Sequence, residues 1–192
     1  RPLRPDGSPE VHEAHGPVRQ DALNRSNEFA NNHAVNDRIP DGFTTAGAGT
    51  EIRANGAFEG PRAAVVVDRQ ADAVLQSTVN EAREHLAQLA RQRGPMTPQQ
   101  QMEALSEFVR GKFRHGGGSP DADRLLNDMY ATFMADNAGR RVHLGDFINR
   151  GMGGCTEQSL LLKVLADDLI PGARVSLVRG NGTGSGDVIN HM

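Results

Sequence analysis

The segment "INRGMGGCTEQSLLLKVLADDLIPG", residues 148 to 172, holds the only cysteine of the chain, Cys155. A thiol is a weak nucleophile until it loses its proton, and the positive end of a helix or a nearby imidazole lowers the pKa of a cysteine. Gly151, Gly153 and Gly154 come just before the sulfur. They allow a sharp turn into a helix and leave room for a substrate chain. The unpaired N–H groups of a first helical turn can also stabilise an oxyanion on an attacked carbonyl. Such chemistry needs a proton carrier, and His191 is the best placed, on a strand that returns after the helix. The plainer alternatives stay open on these residues alone. They are a small buried thiol at a helix end, an ordinary polar strand residue at His191, and a simple glycine loop.

The elements that must position these groups are read from periodicity and punctuation. In the helix after Cys155, Leu160, Leu161, Leu162, Val164, Leu165 and Leu169 surround most of the circumference, which predicts burial on nearly every side. Pro171-Gly172 stops it. Upstream, residues 63 to 94 carry Val67, Val74, Leu75, Val79, Leu86 and Leu89 at helical spacing, with Gly94 as a stop. A second helix starts at "TPQQQ", where Thr97 caps, Pro98 suits the first position and Gln100 completes a capping box. A third runs through "DADRLLNDMYATFMADN", with Leu125, Leu126, Met129, Tyr130, Phe133 and Met134 forming its stripe. "ARVSLVRGN" alternates as a strand would, "GTGSG" reads as a turn, and "DVINHM" begins a second strand. The expected class is α+β: a helical N-terminal part, then a central buried helix with Cys155 at its start, packed on an antiparallel sheet.

Residues 1 to 60 are expected to be a flexible linker or loosely ordered extension, proline-rich at first and glycine-rich later, with a short helix through Leu23 and Phe29. Residues 61 to 192 are expected to form the thiol domain. The chain opens on Arg1, which predicts a piece of a longer polypeptide. Charge is nearly balanced, with 21 basic and 24 acidic residues and a formal net of −3. No long basic run and no bilayer-length apolar stretch is present, so neither nucleic acid nor membrane is an expected partner. Aromatics are 4% of residues and tryptophan is absent, which argues against a base-stacking platform. A single cysteine excludes an intrachain disulfide and any zinc site of several thiolates, and suits a reducing compartment.

The ordered set "GGCTEQSLLLKVLADDL", "ARVSLVRGN", a polar loop and "NHM" resembles the transglutaminase-like branch of the papain-type thiol enzymes. It is most similar to the peptidase-like domain that precedes the kinase in plant ethylene-response kinases. "TPQQQMEALSEFVRGKFRH" also resembles that family's upstream helix, so the likeness covers about residues 97 to 192. The resemblance implies Cys155 as nucleophile and His191 as general base, then acid. Gly153 and Gly154 become the oxyanion or substrate loop. Attack on a protein amide would release an amine and leave a thioester, resolved by water or by a second amine. Proteolysis, glutamine deamidation and transglutamination are its three outcomes. No cofactor or metal is implied.

In that family an aspartate or asparagine on the strand after the histidine orients its ring. Here only Met192 follows His191, so a C-terminal segment is expected to complete the site. Asp146 and Asp187 are candidate substitutes. A proline-rich leader joined to a compact catalytic end is also the layout of a toxin or effector module of a larger bacterial protein. That reading predicts secretion or delivery into a target-cell cytoplasm, with a cognate inhibitor or immunity protein as partner. Without it, a cytoplasmic location is expected. The alternative function is a catalytically degenerate domain of the same fold that serves as an interaction module.

The other histidines point to no site. His12 and His15 sit in a solvated linker, and His33, His85 and His143 have no ligand-like spacing. "RHGGGS" lacks the lysine and the serine or threonine of a phosphate loop. Glu157 is read as favourable helix-end electrostatics.

Overall fold

Four apolar residues in a row, three of them β-branched, are better suited to a short buried strand than to a helix. The computed structural model places Ala64–Val67 as strand β2, with all four residues buried. It describes residues 14, 19–31, 33–45, 62–113 and 120–178, and the backbone of 180–184 and 187–191. Val67 therefore closes a strand, where the sequence reading put it in a helix. The break has a local cause. The Asp68 carboxylate accepts N–H bonds from Gln70 and Ala71, which turns the chain. Asp72 then caps helix α2, Ala73–Arg93, by accepting the Leu75 N–H at 3.0 Å.

Before β2, helix α1 spans Gln20–Ala30 and strand β1 spans Phe43–Thr44. Beyond α2, helix α3 covers Pro98–Lys112 and helix α4 covers Pro120–Asp136. The expected capping box at Thr97 and Gln100 is present at the start of α3. Strand β3, Arg141–His143, leads directly into helix α5, Leu144–Arg150, neither of which the sequence reading separated out. Helix α6, Cys155–Leu169, follows. Strands β4, Gly180–Gly184, and β5, Asp187–His191, complete the order.

The fold is α+β, with a mixed sheet that the sequence reading did not foresee. β1, β2 and β3 form a mixed sheet in that order, with β1 antiparallel to β2, β2 parallel to β3, and Val65 opposite Val142. β4 and β5 pair antiparallel as a separate hairpin. Among the described residues the main neighbours of α6 are helices α3, α2 and α5. The cause is the distribution of its apolar residues, since Leu160, Leu161, Val164, Leu165 and Ala166 are all buried and need cover on several sides, which helices provide. Of the strand expected in "ARVSLVRGN", residues 173–178 make one bridge, where Leu177 and Val35 exchange N–H bonds at 2.9 Å, and Gly180 and Asn181 begin β4. Part of the expected "GTGSG" turn, Gly182–Gly184, lies in β4 instead.

The segment expected to be loosely attached is also different where it is described. The short helix through Leu23 and Phe29 is present as α1, and Phe29, Val35, Ile39 and Phe43 are core residues. Phe29 meets Phe43 edge-on with ring centroids 5.8 Å apart. Residues 46–60 lie outside the described residues, as do His12, His15 and the "RHGGGS" stretch. No helix among the described residues is long and apolar enough to cross a membrane.

Candidate functional site

Cys155 is the first residue of α6, and its side chain is exposed although the helix behind it is largely buried. A thiol at this position is presented to solvent instead of packed into the core. The preceding turn is built from three sides. Gly151 ends α5 with a φ of 64°, the left-handed conformation that glycine adopts without a Cβ penalty. Gly153 lies beneath Phe113, the C-cap of α3, so closely that a Cβ would be 2.6 Å from the ring. Gly154 is the N-cap and carries no such contact, the nearest side-chain atom to a Cβ being 3.7 Å away.

The first turn of α6 holds this loop in place. Glu157, three residues into the helix, accepts the Gly154 N–H at 2.8 Å, the reciprocal half of a capping box. The Gln158 side chain donates to the Gly153 carbonyl at 3.2 Å. From α4, the Tyr130 hydroxyl donates to both Glu157 carboxylate oxygens, at 3.1 and 3.0 Å. Glu157 is 0% exposed, and burial raises its carboxyl above the usual glutamate range against the lowering effect of these hydrogen bonds and of Arg62. Burial, and next the Glu157 charge, raise the Tyr130 hydroxyl well above its ordinary value.

Gly151 makes the turn into the helix that the sequence reading expected, and Gly153 and Gly154 have packing and hydrogen-bond roles beside it. Gly153 is required by an aromatic ring that touches it, and the Gly154 amide is engaged by Glu157. The amides of Cys155 and Thr156, first and second in the helix, have no intrahelical partner. His191 is the last residue of β5, paired with Gly180, and its side chain lies outside the described residues, as does that of Asp187.

No family model, curated protein or solved structure matches the chain. The candidate site therefore rests on its own residues.

Asp146 belongs to a second buried polar group that sequence reasoning missed. The Asp72 carboxylate accepts the Leu75 N–H with one oxygen and the Gly145 N–H, at 2.7 Å, with the other, so it caps α2 and joins the first turn of α5. His143 and Asp146, both 7% exposed, line the same cleft of about 80 Å³ with Asp72. Burial raises the Asp72 carboxyl; the Leu75 and Gly145 N–H groups and His143 oppose that rise, and Asp146 adds to it. Among the described residues, no three such side chains are grouped to hold a metal ion. The Asp72 signal was available in sequence, as an N-cap aspartate three residues before Leu75.

Proposed function

We propose that this chain is a transglutaminase-like thiol enzyme acting on a protein amide, with Cys155 as nucleophile and His191 as general base, then acid. One observation carries the reading: the only cysteine of the chain is exposed at the first position of a buried helix. The thiol would lose its proton to the imidazole, the sulfur would bond the amide carbon, and the amine would leave with that proton. Water or a second amine then cleaves the thioester. With the Gly154 amide bound to Glu157, the Cys155 and Thr156 amides are the donors left for the oxyanion. A papain-like arrangement of β5 against α6, a C-terminal segment that orients His191, and delivery as a toxin or effector with an immunity partner all belong to this proposal.

The test is incubation of the wild type and the Cys155→Ala and His191→Ala variants with candidate protein substrates, read by intact mass. A deamidation, a cross-link or a new terminus that vanishes in both variants is the expected result. Products unchanged in Cys155→Ala would end the proposal. A second reading, a degenerate domain kept for protein interaction, is favoured by the engagement of the Gly154 amide. Alkylation of Cys155 by iodoacetamide no faster than that of a free thiol would support it.

A further inference from the structure

Helices α2 and α3 enclose a groove of about 370 Å³ around the turn that joins them. Its volume lies in the range of sites that take a small ligand or a few side chains. Leu89, Met96 and Ala104 give it an apolar floor at the edge of the core. Its walls carry opposite charge. Glu103 and Glu107 stand one turn apart on α3, and Arg93 lies at the end of α2. Like charges at that spacing repel. Glu103 accepts only a neutral amide, from Gln99 at 3.0 Å, and neither Glu107 nor Arg93 has an ion pair among the described residues.

We propose that this groove binds a short segment of a partner protein in which a lysine or arginine sits beside an apolar residue. The cation relieves the repulsion between Glu103 and Glu107, and the apolar side chain covers the floor. An acidic segment is rejected by the glutamate wall. The inference is independent of any chemistry at Cys155.

The probe is the capped peptide acetyl-leucyl-lysyl-leucine amide, titrated into the full chain and followed by amide chemical shifts. Its control has glutamate in place of lysine. At about 10 mM, suited to millimolar affinity, the lysine peptide is expected to shift residues of the α2–α3 turn and the control to leave them unmoved. The double variant Glu103→Gln, Glu107→Gln keeps side-chain length and helix propensity. It should weaken binding by about two- to fivefold for each charge removed. Equal response to both peptides, shifts located elsewhere, or an affinity unaltered in the double variant would overturn the inference.

Discussion

Replacing Gly153 by alanine separates packing from substrate space. The added Cβ would lie 2.6 and 2.7 Å from two Phe113 ring carbons and 3.0 Å from the Glu157 Cβ. Phe113 is 1% exposed, so its ring cannot yield into solvent. Overpacking of this kind costs about 1–3 kcal/mol. Loss of glycine's freedom in the unfolded chain returns about 0.4–1 kcal/mol. The net loss expected is about 0.5–2 kcal/mol, which corresponds to a fall in Tm of about 1–8 °C for a domain of this size. Gly154→Ala, whose Cβ would meet nothing closer than 3.7 Å, should be close to neutral. Phe113→Leu removes the ring edge, so the double variant Gly153→Ala, Phe113→Leu should be more stable than the sum of its parts by about 0.5 kcal/mol or more. Urea denaturation of the four proteins measures that coupling. A coupling of zero, or a Gly153→Ala variant as stable as the wild type, would refute the packing argument and return Gly153 to the role of substrate space.

Two more predictions concern buried carboxylates. Because burial raises the Glu157 carboxyl, the folded chain binds that proton more tightly than the unfolded chain does; its contribution to stability is full below pH 4.5 and is lost as pH rises through the raised value. Glu157→Gln should therefore match the wild type at low pH and gain on it as pH rises, and urea midpoints across that window check the sign; a difference that shrinks with pH would contradict it. Asp72→Ala removes a helix cap worth about 1 kcal/mol and leaves the buried Gly145 N–H unsatisfied, at about 1–3 kcal/mol. The total of about 2–4 kcal/mol is read by urea denaturation, and a loss below about 0.5 kcal/mol would show that neither bond matters.

The parts legible in the sequence were those with punctuation of their own. Thr97, Pro98 and Gln100 announced α3, and the apolar stripes of α4 and α6 were long enough for their period to be unambiguous. β2 was hidden because the spacing from Val67 to Val74 also fits a helix, and only the Asp68 turn separates the two. β3 and α5 are 3 and 7 residues long, too short to establish a period. At the candidate site the position of Cys155 was readable, since glycines followed by a leucine-rich run mark a helix start. The clamp around it was not. The Gly154 to Glu157 spacing hints at a capping box, but Tyr130 and Phe113 reach the loop through tertiary packing that no local pattern encodes.

The position of Cys155 also depends on the far end of its helix. Two aspartates there, Asp167 and Asp168, face the negative end of the α6 dipole and are unfavourable unless paired. Lys163, 2% exposed, bonds Asp167, whose other oxygen accepts the Ile39 N–H at 3.0 Å. Asp168 receives Arg38 and Arg69, the latter at 2.7 Å. Removing one partner of a buried pair costs far more than the pair contributes, because the other charge is left uncompensated. Sliding α6 along its axis would break these bonds together with those of Glu157 at the opposite end. The helix is thus held at both termini, and Arg38 and Ile39 are bonded to the helix that carries the thiol.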